Sequence, residues 1–446
     1  MPNLGLGYVA ASLESVGHRV EIWDELKENG NLDRFEARLY KREGIFDLVG
    51  FYFITSHYSS VVQYSRLVKN INNKIITVVG GPHPTVDPLG TLENIQNIDF
   101  AIAGEGEKAL LELIEAIEGK GKFKDICNLV WRQNGKVIIN KRNFLDSLDK
   151  IPIPAWHLLR PNTYPLAPVT VFSKNKRVVP IVLTRGCPFG CKFCAATIIS
   201  GRKIRHRNLE NVIEEICLLK SQYNMQEFHI MDSCIGADRD YILSFCNLLI
   251  KQNIKICWAC TIGIRVDNID KDLIQIMERA GCYSISVGIE SGVQRVLDLM
   301  KKNIKLEKIE EKIELIHSIS SIRITGFFIL GYPGESLLDM RKTIDFACKL
   351  KIHRVGFFNF TPVPGTVVYN ELNLKLNNLI FDKLSLYSIP LTFGDFSAKK
   401  LKVFLMMANI KFYFRPKIIF GILKEIQSFD QVLTIIKRLK QLINAT

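Results

Sequence analysis

Apolar runs alternate with helical patterns along the N-terminal part of the chain. Between Leu4 and about Gly119, the segments Arg19 to Trp23, Asp47 to Phe53, Ile75 to Val79 and Ile98 to Ala103 have strand length and the apolar content of strands buried in a parallel sheet. With helices between them they predict an α/β layered unit. The last three run into Thr55-Ser56-His57, Gly80-Gly81-Pro82-His83 and Gly104-Glu105-Gly106-Glu107. In an open parallel sheet these carboxyl ends form the ligand crevice, and glycine lets the backbone approach a phosphate or a large ring. Tight turns alone would use the same residues. Gly5 to Ser15 reads as the first helix and Arg19 to Trp23 as the strand after it, so the strand expected before that helix is missing. Either the start lies upstream or the chain is trimmed, and the first sheet is then expected to have four strands.

Val130 to Ile139 reads as a hairpin closed by Asn134-Gly135, and Asp149 to Pro154 as an interdomain linker. A second α/β series follows, with strands expected at Val179 to Thr184, Glu227 to Met231, Lys255 to Cys260, Ser284 to Ile289, Ile322 to Leu330 and Arg354 to Phe360. Leu209 to Gln222 and Leu306 to Ser318 are among the helices between them. Six βα units predict a partial barrel with its chemistry at the strand C-termini. The expected division is 1–125, 126–172 (hairpin and linker), 173–396 and a basic helical region 397–446.

Composition narrows the partners. The 446 residues are 47% hydrophobic and 23% charged, which suits a folded chain of two or three domains. The net charge of +14 admits nucleic acid, anionic lipid or an anionic ligand. No apolar stretch approaches the ~20 residues of a membrane span. Met1 to Tyr8 lacks the features of a secretory signal, so a cytoplasmic protein is expected. The eleven cysteines are therefore read as thiols or metal ligands.

Three of them stand in Cys187-Pro-Phe-Gly-Cys191-Lys-Phe193-Cys194, directly after the first strand of the second series. Three thiolates on a short loop can hold three irons of a [4Fe-4S] cluster and leave the fourth open to an exchangeable ligand. A zinc site would need a fourth ligand, for which His206 is the nearest candidate. Cys257 and Cys260 lie three apart on an expected strand and point to opposite faces, so they cannot share a metal. Cys234 and Cys260, near strand ends, read as core or pocket lining.

The run C-x3-C-x-aromatic-C resembles the signature of radical S-adenosylmethionine (SAM) enzymes. The resemblance extends over the barrel: Met231-Asp232 at the second strand end, Gly288-Ile289-Glu290-Ser291-Gly292 at the fourth, Gly326 to Glu335 at the fifth and Thr361 to Thr366 at the sixth. It implies that Cys187, Cys191 and Cys194 hold the cluster and that Phe193, Asp232, Glu290, Ser291 and Gly331 contact SAM. The N-terminal part resembles the cobalamin-binding, flavodoxin-like domain fused to many such enzymes. That implies cobalamin contacts from Leu4, Gly5, Ser56, His57, Gly80, Gly81, Gly104 and Glu105. No Asp-x-His-x-x-Gly loop occurs, and His57 and His83 read as loop hydrogen-bonders, so no histidine is expected on cobalt.

The tail segment Phe412 to Lys417 resembles the branch that includes anaerobic magnesium-protoporphyrin monomethyl ester cyclases and methylases of unactivated carbon. The leading expectation is methylation of an unactivated carbon. Oxidative cyclisation or hydroxylation without methyl transfer is the alternative, and a cobalamin-binding or RNA-binding module the reading from another class. A small-molecule substrate, with a lipid or tetrapyrrole among the candidates, and a flavodoxin- or ferredoxin-type electron donor are expected, and nucleic acid is not. Lys402 to Leu423 mixes cations with apolar residues at helical spacing, which fits a membrane surface, although a solvated outer face would show the same composition.

Overall fold

The computed structural model describes residues 1–433 apart from 26, 28–29, 43, 165–172, 375–380, 382, 385–388, 390, 427–428 and 430. Asp430 and residues 434–446 of the basic tail therefore lie outside the described residues. The first sheet has the order β1 (Leu48–Tyr52), β2 (Ile76–Gly80), β3 (Phe100–Ile102), β4 (Leu129–Gln133) and β5 (Lys136–Ile139). The first three strands are parallel, and the hairpin β4–β5 adds antiparallel to β3. Asn134 and Gly135 have φ of 50° and 77°, as a two-residue hairpin turn demands.

Two expectations change here. Arg19 to Trp23 forms no strand. A strand needs a paired edge, yet β1 is bonded only to β2, and Trp23 is held by side-chain packing between Phe35 and Phe46 with Arg38 over its ring. The hairpin does not stand apart as a connector, because Ala101 and Ile102 pair with Val130 and Leu129. The sheet thus has five strands among the described residues.

The second sheet joins β6 (Val178–Ile181), β9 (Glu227–Ile230), β10 (Cys257–Ile264), β11 (Cys282–Glu290), β12 (Arg323–Leu330) and β13 (Arg354–Asn359). All are parallel and follow one another in sequence order across the sheet. Right-handed crossovers between adjacent strands put the connecting helices on one side. The core lies between them, where Trp258 stacks on Phe228 at 5.9 Å. A short antiparallel pair, β7 (Thr184–Arg185) and β8 (Arg205–His206), brackets the loop that carries the three cysteines.

Buried ion pairs join the two sheets. Glu105 meets Arg185 at 3.1 Å and Arg205 at 2.7 Å, and Glu107 meets Arg185 at 2.6 Å. Such pairs define a docking geometry more than they add net stability. The first helix, Leu4–Glu14, packs through Gly7 on the linker: a Cβ there would sit 2.6 Å from Leu159. No helix among the described residues is long and apolar enough to cross a membrane.

Candidate functional site

The cysteine loop is fixed at both ends by backbone. Gly186 has φ of 116°, and a Cβ there would lie 2.1 Å from the Lys203 carbonyl, so only glycine allows the chain to turn into the loop. Cys187 N–H donates to the Gly201 carbonyl at 2.9 Å, and Cys194 N–H to the Cys191 carbonyl at 3.2 Å. Lys192 N–H donates to the Met300 carbonyl, and Val368 N–H donates to the Lys192 carbonyl, which tie the loop to the β11 and β13 exits. Phe193 packs against the apolar group of Met300, Tyr332 and Phe360.

A cationic wall faces the thiols. Burial pushes the Cys191 thiol up, and Lys302 and Arg265 counter only part of that rise. A hydrogen bond from Cys234 lowers the Cys187 thiol to about 6. Soft thiolates on one loop beside two cations suit a cluster that carries net negative charge. No three His, Cys, Asp or Glu side chains among the described residues are arranged to hold a single ion. A cubane asks something different, one thiolate for each of three irons.

Of the residues expected at SAM, Glu290 lies in this wall. It has φ of 69° at the end of β11, and its carboxylate accepts a hydrogen bond from Lys302 Nζ at 2.8 Å. Gly288 makes room for the pair, since a Cβ there would stand 2.5 Å from Glu290 Oε1 and 3.1 Å from Lys302 Nζ. Asp232 is turned inward, accepting from Leu183 N–H at 2.8 Å, Thr184 N–H at 2.8 Å and the Thr184 hydroxyl at 2.7 Å. Burial pushes its carboxyl up to about 7. Asp232 thereby anchors the strand that leads into the cysteine loop. Ser291 is also internal: its hydroxyl lies 3.1 Å from that of Thr343 and accepts from Val293 N–H. Gly331 N–H donates to Glu335 at 2.6 Å, and burial pushes the Glu335 carboxyl up to about 8.

The residues expected at cobalamin gather along the C-terminal edge of β1, β2 and β3. Gly5 and Gly81 flank the Tyr52 ring, with Cβ positions 3.7 Å and 3.1 Å from it, and Leu4 opens the first helix beside Gly5. Ser56 and His57 form the turn Thr55–His57, Gly80 opens onto free space, and Gly104 has φ of 133°. Glu105 points elsewhere. Burial works to raise its carboxyl, but Arg205, Arg185 and the Leu145 N–H hold it below the usual range.

His83 is fully buried under Phe53, Tyr58 and Phe381; its Nδ1 lies 3.1 Å from Thr55 Oγ1, and burial lowers the imidazole to about 4. Its Nε2 has no hydrogen-bond partner among the described residues. The glycine-lined edge, open at Gly80, fits the close approach of a large macrocycle, while His83 is sealed away from it.

The two crevices face each other. The short helix Pro82–Val86 touches the helix Ala196–Ser200 that follows Cys194, and Arg142 donates to the carbonyls of both Thr85 and Ile198. Gly365, at the exit of β13, approaches the same helix, its Cβ position 2.9 Å from the Val86 carbonyl.

The B12 binding domain family matches residues 1–114 and the radical SAM superfamily residues 181–347. The uncharacterized methyltransferase PH0819 of Pyrococcus horikoshii is 30% identical over 425 residues, 94% of this chain and 89% of that protein. The chain belongs to the radical SAM enzymes with a B12-binding domain. Its cofactors are thus a [4Fe-4S] cluster, SAM and cobalamin. Cytidylyl-2-hydroxyethylphosphonate methyltransferase of Streptomyces wedmorensis is 30% identical over 416 residues, 82% of this chain and 77% of that one. The fold is shared with the radical SAM methyltransferase TsrM of Kitasatospora setae, solved with cobalamin and a [4Fe-4S] cluster. The TM-score is 0.69 at 18% identity, covering 83% of this chain and 72% of that one.

Sequence reasoning missed Lys302 and Arg265 at the site, and Cys234, read as core or pocket lining, lies within hydrogen-bond reach of Cys187. Lys302 follows a helix end in Lys301-Lys302-Asn303, where a solvated charge would look the same; nothing in the pattern marks it as buried.

Proposed function

We propose that this enzyme transfers a methyl group to an unactivated carbon of a small molecule. The observation that carries the reading is the apposition of the two crevices through Pro82–Val86, Ala196–Ser200 and Gly365, which lets one substrate meet both. When bound, the cluster supplies the electron that splits SAM into methionine and a 5′-deoxyadenosyl radical, and cobalamin supplies the methyl group. The chain's own part is to hold and orient. Cys187, Cys191 and Cys194 would bind three irons; Phe193, Glu290 and the backbone at Gly331 would position SAM, with Asp232 and Ser291 supporting from behind. Lys302, paired with Glu290, would place a fixed positive charge beside the SAM carboxylate. Leu4, Gly5, Ser56, His57, Gly80, Gly81 and Gly104 would cradle cobalamin. Glu105 would hold the domains in register.

The second sheet would be the partial six-unit barrel of this family, and β1 pairs only with β2 among the described residues of the first. The divisions 1–125, 126–172, 173–396 and 397–446 remain part of this reading, with the hairpin counted in the first sheet. Cyclisation without methyl transfer is the weaker reading, since both relatives at 30% identity are methyltransferases by name. An acidic flavodoxin- or ferredoxin-type donor in the cytoplasm would suit the outer face of the cysteine loop, where Lys192, Arg202 and Lys301 surround Phe189 in a cavity of about 420 Å³. The test is anaerobic incubation of reconstituted enzyme with cell extract and SAM carrying a deuterated methyl group. Label in a small molecule, with 5′-deoxyadenosine and S-adenosylhomocysteine both formed, is expected. Deoxyadenosine with no labelled product would point to cyclisation.

A further inference from the structure

We propose that the C-terminal helix pair docks the enzyme on an anionic membrane surface. The helices Ala398–Tyr413 and Pro416–Glu425 are held from behind: Leu401, Ala408, Phe412 and Ile418 are buried, and the Tyr413 hydroxyl donates to the Val355 carbonyl at 2.6 Å. Arg415 reaches the Cys348 carbonyl, and Glu425 turns inward to Arg323 and Arg354. The outer face is apolar instead of solvated. Val403, Met407, Ile410 and Phe414 recur at helical spacing as one exposed stripe, which Ile419, Phe420 and Leu423 continue on the second helix. Phe414 is 72% exposed and Phe420 64%.

Charge selects the occupant. Lys399, Lys400, Lys417 and Lys424 are exposed on the helix pair, and its one carboxylate, Glu425, turns inward to Arg323 and Arg354. A second copy would bring lysines against lysines across an isologous contact. Apolar rings bordered by exposed lysines, on helices too short to span, match the boundary between anionic headgroups and acyl chains.

The full reconstituted chain should sediment with vesicles of phosphatidylcholine and phosphatidylglycerol, weakly with phosphatidylcholine alone, and less at high salt. Phe414→Gln with Phe420→Gln should weaken binding at least about tenfold. Lys417→Glu with Lys424→Glu should weaken it more than about tenfold, and only on anionic vesicles. Both variants should cleave SAM as the parent does. Equal binding to both vesicle types, or parent-like binding by the variants, would overturn the proposal. So would self-association of the soluble parent that these variants abolish, which would assign the face to a second copy.

Discussion

Glu290 and Lys302 show how one pair can serve both packing and ligand. Each is about nine-tenths buried, so removing one charge strands the other at a cost of about 3–5 kcal/mol. Glu290→Gln should therefore lower stability by that order, and the double variant Glu290→Gln, Lys302→Met should recover much of it in urea unfolding. SAM affinity should fall in both while iron content stays near that of the parent. Loss of iron in Glu290→Gln would show that the pair builds the loop and does not serve SAM.

His83 gives a pH test. Its folded value near 4 lies below the unfolded 6.5, so the unfolded chain binds the extra proton between them. Stability from this residue is complete above about 6.5 and is lost as pH falls toward 4, by about 3 kcal/mol. His83→Gln should lose less stability than the parent between pH 7 and pH 4.5, by about that amount.

At the scale of elements, all six strands of the second sheet were legible in place and order, although Val179 to Thr184 ends at Ile181, with Thr184 in the short pair β7–β8, and Lys255 to Cys260 is Cys257–Ile264. The expected Arg354 to Phe360 and Ile322 to Leu330 are Arg354–Asn359 and Arg323–Leu330 in the structure, where burial alternates along both strands and the half-buried positions are still mostly apolar. Arg19 to Trp23 shows the limit. Its local pattern allows a strand, but a ladder also needs a neighbour, and β1 offers none described on that side. Site residues followed the same division. The cysteine spacing was legible because ligand chemistry restricts residue type, whereas the inward turn of Asp232 depends on where Leu183 and Thr184 come to lie. Gly186 was not singled out, since its necessity arises only from the approach of Lys203. Gly186→Ala should leave helix and strand content unchanged by circular dichroism yet bind less than half the parent's iron after reconstitution. Full iron loading would show that the loop tolerates another path.

On the scale of the whole molecule, the proposed function requires the two crevices to be held opposite each other, and the ion pairs of Glu105 join the two sheets. Sequence reading expected Glu105 to contact cobalamin, whereas in the structure its carboxylate meets Arg185 and Arg205, 80 and 100 residues away in the chain. Glu105→Gln should leave the iron content intact while separating one unfolding transition into two by calorimetry, with faster proteolysis between the sheets. The central claim is that cluster, SAM and cobalamin act together in this chain. It is tested most directly by quantifying SAM products from anaerobically reconstituted enzyme under a strong reductant. The parent should form 5′-deoxyadenosine and S-adenosylhomocysteine; protein reconstituted without cobalamin should form deoxyadenosine alone; and the variant with Cys187, Cys191 and Cys194 all changed to Ala should form no deoxyadenosine. Deoxyadenosine from that triple variant, or S-adenosylhomocysteine formed equally well without cobalamin, would contradict the account.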